Sequence, residues 1–143
     1  MATVERSALV PYSPEQMFEI VCDVRAYPEF LPWCTESRLI AETDEEQLAE
    51  LALSKGGITQ RFSTRNTLVR PSSIELKLIE GPFSRLQGVW QFKALGESGC
   101  KVELNLSFEL DSTLMQMALG QVWRAATDRM VSAFCGRAEA LYG

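Results

Sequence analysis

Residues 102–110 read VELNLSFEL and residues 113–142 read TLMQMALGQVWRAATDRMVSAFCGRAEALY, and these two segments decide the fold. The first alternates strictly between apolar and polar side chains, which predicts a strand with one buried face and one solvated face. The second predicts a helix about 45 Å long, whose apolar residues fall near one stripe: Met115, Leu119, Val122, Ala126, Met130, Phe134 and Leu141. Neither surface can bury its apolar face alone, so we expect a sheet that curves around this helix.

The chain upstream of these segments predicts six further strands, with one or two short helices between the first strand and the second. Ser13 precedes Pro14 and is followed three residues later by Gln16, a capping-box start for a helix over about residues 14–24. Turn signals, Lys55-Gly56-Gly57 among them, separate the alternating runs, which are residues 2–10, 34–43, 47–54, 58–70, 74–78 and 90–94. The predicted fold is α+β, with residues 1–143 forming a single domain in which a curved seven-stranded antiparallel sheet wraps around the long helix.

The composition excludes several kinds of catalytic site. The chain has 143 residues, no histidine, 14 Lys plus Arg and 19 Asp plus Glu, which gives a net charge of −5. Without histidine there is no Ser-His-Asp or Cys-His catalysis and no His-ligated zinc. The acidic total argues against broad electrostatic binding to DNA or RNA. No set of carboxylates pairs with a nucleophile, so we expect neither an enzyme nor a metal site.

The four cysteines and the hydropathy pattern indicate a reducing, intracellular environment. No two of Cys22, Cys34, Cys100 and Cys135 form a C-x-x-C pair, and free cysteines are commonly small buried apolar groups. The chain has neither a signal-peptide pattern nor an apolar run long enough to span a bilayer. We therefore expect a cytoplasmic protein, with contact at the inner face of the membrane as a further option.

Three motifs resemble the coenzyme Q-binding START-domain family. They are VPYSPEQMFEIV at 10–21, DVRAYPEFLPWC at 23–34 and GPFSRLQGVWQF at 81–92. With the order of strands and helices, the resemblance covers almost the whole chain and implies the helix-grip fold. It also implies non-enzymatic binding of ubiquinone or a related isoprenoid lipid, in support of respiration or quinone delivery. The family's RatA-type bacterial members imply the alternative, a toxin that binds the large ribosomal subunit and blocks subunit association.

A strongly curved sheet cannot touch a long helix everywhere, so the two surfaces predict an apolar cavity between them. The candidate ligand-binding residues lie in the aromatic loop, the second motif region and the long helix; they are Phe30, Leu31, Trp33, Phe83, Leu86, Trp90, Met115, Trp123 and Met130. For the loop, a lid at the cavity mouth is slightly favoured over a buried plug. In the second motif, a bend at Gly81-Pro82 would aim Phe83 at the cavity. A sheet corner without ligand contact is equally compatible with the sequence. Core packing remains the alternative for each residue of the helix.

Basic residues of the middle strands form a second candidate surface. Arg61 and Arg65 share a strand face, and three further cations lie nearby: Arg70, Arg85 and Lys93. Such a stripe could meet anionic lipid head groups or ribosomal RNA. The favoured interpretation is solvated surface, balanced by Glu50, Glu75 and Glu80.

Overall fold

Seven antiparallel strands form one sheet in the computed structural model, which describes residues 2–55 and 57–143. Their order across the sheet is β1-β7-β6-β5-β4-β3-β2, so within the described ranges the β1–β7 pairing is the one that joins strands distant in the chain. The strands are β1 Ala2–Val10, β2 Cys34–Glu42, β3 Glu46–Lys55, β4 Ile58–Val69, β5 Ser73–Glu80, β6 Phe83–Leu95 and β7 Gly99–Leu110. The predicted seven-stranded fold is confirmed, although β6 begins well before residue 90. The predicted turn at 55–57 contains Gly56, which lies outside the described residues.

Strand β7 shows why the sheet has two different faces. Its alternate side chains are buried against the core, and the residues between them are half-buried or exposed. The buried set is Cys100, Val102, Leu104, Leu106, Phe108 and Leu110. This is the period-two pattern of a sheet that packs on one side only, and it directs the concave face toward the C-terminal helix.

Helix α1 spans Pro14–Cys22 and starts at the predicted capping box. The Gln16 amide donates to Ser13 Oγ at 3.1 Å, and the Ser13 amide donates to Gln16 Oε1 at 2.9 Å. The helix ends two residues earlier than predicted and continues as a 3-10 helix over Val24–Glu29. Asp23 has φ −82° and ψ 72°, outside the helical region, and this residue ends α1. Pro28, which has no amide hydrogen to donate, lies within the 3-10 helix.

Helix α2 spans Thr113–Tyr142, as predicted, and Ser112 caps it by accepting a hydrogen bond from the Met115 amide at 3.1 Å. Seven residues of α2 are buried: Leu119, Trp123, Ala126, Thr127, Val131, Phe134 and Ala138. The predicted stripe is wrong at Leu141, which is 52% exposed. Residues 139–143 are all exposed, because the last turn extends beyond the surface that covers the rest of the helix. No helix in the described ranges has both the length and the hydropathy that a membrane crossing requires.

An apolar cavity between the sheet and the long helix

A cavity of about 60 Å³ lies between the concave face of the sheet and α2. Its wall is formed by the 3-10 helix, the loop before β2, strands β3 to β7 and α2. Almost all of the wall is aliphatic or aromatic, and the polar side chains are Thr64, Asn66 and Tyr27. None of the described residues that line it is charged. The cavity therefore provides an apolar surface with a few neutral hydrogen-bonding groups.

The structure brings six of the nine predicted ligand-binding residues to this cavity. They are Leu31, Trp33, Leu86, Trp90, Trp123 and Met130. The ring of Phe30 instead packs edge-on against Phe134 at 5.2 Å, and Met115 is a half-buried residue at the edge of the core. Phe83 follows the predicted break in the ladder, where the β6–β7 register shifts. The ligand-binding role of all nine residues stays a prediction.

Trp123 lies at the centre of an aromatic cluster that fills one end of the interior. Its ring centroid is 5.3 Å from that of Phe62, 5.0 Å from Phe83, 5.8 Å from Phe108 and 6.2 Å from Trp33. Most of these contacts are edge-to-face, the geometry that favours attraction between aromatic quadrupoles. Trp123 is 2% exposed, and its Nε1 finds no hydrogen-bond acceptor in the described part of the chain. The cluster thus combines tight packing with one unsatisfied donor.

A buried polar chain, not anticipated from the sequence, connects the cavity wall to α1. Thr64 Oγ1 donates to Asn66 Oδ1 at 2.8 Å, and Asn66 Nδ2 donates to Gln47 Oε1 at 3.2 Å. Gln47 Nε2 then donates to the Cys22 carbonyl at 2.7 Å and to Glu42 Oε2 at 3.0 Å. A signal for it was present, because residues 64 and 66 alternate with the outward-facing Arg65 and must point inward.

The size of the cavity limits what it holds in this conformation. Pockets for small molecules usually measure about 300–1,000 Å³, several times the volume found here. A quinone ring with an isoprenoid tail does not fit unless part of the wall moves. Any ligand function therefore depends on a segment of wall that can open.

The predicted cationic stripe is largely neutralised by carboxylates. Arg61 forms ion pairs with Glu36 and Glu50, and Arg65 pairs with Glu46 at 3.6 Å. Two further members are also paired, Arg70 with Glu19 and Lys93 with Glu103. These pairs, with Glu50 among the acidic partners as expected, support the interpretation of the stripe as solvated surface.

The cysteines are free, and three of the four are buried. Burial raises the pKa of the Cys34 thiol to about 11 and that of the Cys100 thiol to about 11. The thiolate is the nucleophilic form, so these thiols stay protonated and unreactive near neutral pH. No group of three or more potential metal ligands occurs among residues 2–55 and 57–143.

Comparison with known proteins identifies similar sequences along the whole chain. The profile of the family described as polyketide cyclase/dehydrase and lipid transport matches residues 10–135. A Pseudomonas aeruginosa protein named ribosome association toxin RatA is 50% identical, over 98% of this chain and 97% of that protein. A protein of the same name from Escherichia coli K12 is 43% identical, over 99% of this chain and 90% of that protein. The coenzyme Q-binding protein COQ10 homolog B, mitochondrial, from Xenopus laevis is 29% identical, over 96% of this chain and 58% of that protein.

Solved structures with the same architecture agree with the helix-grip prediction. The Zhui aromatase/cyclase from Streptomyces superposes with a TM-score of 0.83 at 19% identity, covering 96% of this chain and 93% of that chain. At that identity the match shows the fold alone. An 18 kDa protein from Caulobacter crescentus has a TM-score of 0.76 at 32% identity, covering 100% of this chain and 99% of that chain.

Proposed function

The chain belongs to the polyketide cyclase/dehydrase and lipid transport family. From its similarity to proteins named ribosome association toxin RatA, we propose that it associates with the ribosome, through the large subunit. The observation that carries the proposal is 50% identity, over nearly the full length of both chains, to a protein named ribosome association toxin RatA. The sequence resemblance favoured a quinone ligand first and this function second. The comparisons support the second more strongly, because the coenzyme Q-binding relative is only 29% identical.

The outer face of the first half of α2 is the surface that best suits such a contact. Met117 is 80% exposed and Leu114 is 69% exposed, and both lie on the solvent side of the helix. Arg124 follows on the same face and has no ion-pair partner within the described ranges. An unpaired arginine suits an RNA phosphate, and exposed methionine packs adaptably against irregular surfaces. The paired arginines of the sheet offer less, since an incoming phosphate must displace a carboxylate.

Sedimentation with purified ribosomal subunits tests this proposal. We expect the protein to co-migrate with the large subunit at low salt and to bind less as salt increases, because phosphate contacts release counterions. The double variant Met117→Asp, Arg124→Gln should bind about tenfold more weakly, since it removes an apolar contact and a phosphate contact.

The matched control is Lys77→Gln, which removes one exposed positive charge from β5, on the solvated face of the sheet. This variant should bind as the wild type does. If the wild type fails to co-migrate with the large subunit at low salt, the proposed function is wrong. If Lys77→Gln weakens binding as much as the double variant, the α2 face is not the contact.

A second candidate function is the binding of an apolar ligand, and the cavity under α2 favours it. The described wall carries no charged side chain, so we propose binding rather than catalysis, with the ligand shielded from water. A quinone or related lipid stays our proposed ligand, and contact with a membrane surface would serve its delivery. Titration with decylubiquinone, followed by tryptophan fluorescence, should give saturable quenching because Trp33, Trp90 and Trp123 line the cavity. Unsaturable or absent quenching would contradict a quinone site.

A further inference from the structure

A groove of about 280 Å³ runs along the outside of α2, next to the loop that precedes β2. The loop side consists of Pro32 and Trp33, with Ser54 of β3 beside them. The helix side is built largely of small residues, which leave the groove open; they are Val122, Ala125, Ala126 and Ala133, together with Arg129. The groove and the internal cavity lie on two sides of one thin partition.

That partition contains Trp33, a half-buried residue whose side chain lines both the groove and the cavity. Its backbone is fixed, because its carbonyl accepts a hydrogen bond from the Ser54 amide at 3.0 Å. Leu31 and Cys34 on either side are 1% and 2% exposed. The indole meets the ring of Trp123 edge-on at 6.2 Å. The side chain is therefore the part of this segment that can turn while the chain around it stays in place.

Rotation of the Trp33 side chain would join the two spaces. Neither the cavity of about 60 Å³ nor the groove of about 280 Å³ reaches the usual range for a ligand pocket alone, whereas the connected volume reaches its lower end. The result is an elongated path that starts in solvent beside α2 and ends among the inward side chains of β6 and β7. Such a shape suits a single chain rather than a compact ring system.

The charge at the mouth of this path specifies the ligand further. Arg129 is exposed and lines the groove, and no carboxylate in the described part of the chain forms an ion pair with it. The interior end of the path offers Nε1 of Trp123, a donor without a described acceptor. A single neutral donor does not offset the desolvation of a buried carboxylate, so an anionic group is favoured at Arg129 and not inside.

We propose that the groove and the cavity form one binding site for a single-chain amphiphile with an anionic head group. The head group pairs with Arg129, the chain passes the Trp33 indole, and its end lies in the cavity. This inference rests on the second candidate function, a ligand in the cavity, and changes the expected ligand from a neutral quinone to an anionic chain. In this site Arg129 determines the specificity for an anionic head group. Trp33 is the gate, the side chain whose rotation connects the groove with the cavity.

Binding of dodecanoate and of uncharged 1-dodecanol, each titrated against tryptophan fluorescence, tests the proposal. We expect saturable binding of dodecanoate, weakened about five- to tenfold by Arg129→Gln because a charge-assisted hydrogen bond at a partly exposed site is lost. The same variant should leave the affinity for 1-dodecanol nearly unchanged. The matched control is Arg25→Gln, which removes an exposed arginine that has no described ion-pair partner and lies outside the groove.

Association rates test the gate. Trp33→Ala should increase the association rate of both probes in stopped-flow measurements. If the alanine variant does not fold, Trp33→Phe, which has a smaller ring, should bind both probes faster than the wild type. The proposal is overturned if dodecanoate does not bind saturably, or if Arg25→Gln and Arg129→Gln weaken it equally. If decylubiquinone binds and dodecanoate does not, the ligand function stands and this inference fails. If neither molecule binds, both are wrong.

Discussion

Replacing Trp123 with alanine should lower the free energy of unfolding by about 3–5 kcal/mol. Trp123 is 2% exposed, and four aromatic rings surround its indole. Those rings come from the loop, β4, β6 and β7, so they cannot all move inward to fill the space. Urea denaturation followed by circular dichroism measures the loss without relying on tryptophan emission.

Met117→Ala is the matched control for this prediction. Met117 is on the same helix but 80% exposed, so its truncation should change stability by about 0.5 kcal/mol or less. A loss below about 1 kcal/mol for Trp123→Ala would contradict the view that this cluster is the centre of the core. A large loss also means that changes at Trp123 cannot serve as ligand-specific variants, whereas changes at Arg129 can.

The second large effect is expected for Gly81→Ala, at about 2–4 kcal/mol of destabilisation. Gly81 has a φ of +154°, a conformation that residues with a side chain rarely adopt. An added methyl group would lie 2.5 Å from Cβ of Phe62 and 3.2 Å from its Cα. Relief requires β4 or the start of β6 to shift, and both carry rings of the aromatic cluster.

Gly136→Ala provides the comparison for this prediction. Gly136 is an exposed residue of α2, and beyond its chain neighbours and the adjacent helix backbone, a methyl group there meets no described atom within 4 Å. Because alanine favours the helix over glycine, the variant should be up to about 1 kcal/mol more stable. Thermal and urea unfolding of the two variants should therefore shift in opposite directions. Equal shifts would contradict the close approach of Gly81 to β4.

Much of the fold follows from local patterns in the sequence. Strand β7 and helix α2 could be predicted because side-chain periodicity and the Ser112 cap act locally. The end of α1 was placed two residues too late, because the non-helical backbone of Asp23 has no signal in the apolar pattern. Leu141 was assigned to the buried stripe because periodicity describes a helix face and does not show where the covering surface ends.

The candidate site was less predictable, because it depends on packing across distant strands. Six cavity residues were found from their apolar or aromatic character. Thr64 and Asn66 were missed because the cavity was expected to be apolar, yet Gln47 of β3 satisfies Asn66 inside. Trp33 lines both the small cavity and the outer groove, and no sequence pattern specifies how its side chain is oriented. Arg129 was likewise missed, because an arginine on a long helix has no distinguishing pattern.

The position of β1 beside β7 has a consequence for how the protein is made. Ala2 pairs with Phe108 and Val10 with Cys100, whereas β2 to β7 each pair with a strand adjacent in the chain. At about 5–20 residues per second, a ribosome needs roughly 5–20 s to add the hundred residues that separate β1 from its partner. During that interval β2 to β6 can pair in the order in which they are translated. Strand β1 is thus translated before the other six strands and is among the last to be paired. Until β7 has been translated, the backbone hydrogen-bonding groups of β1 lack their partner strand.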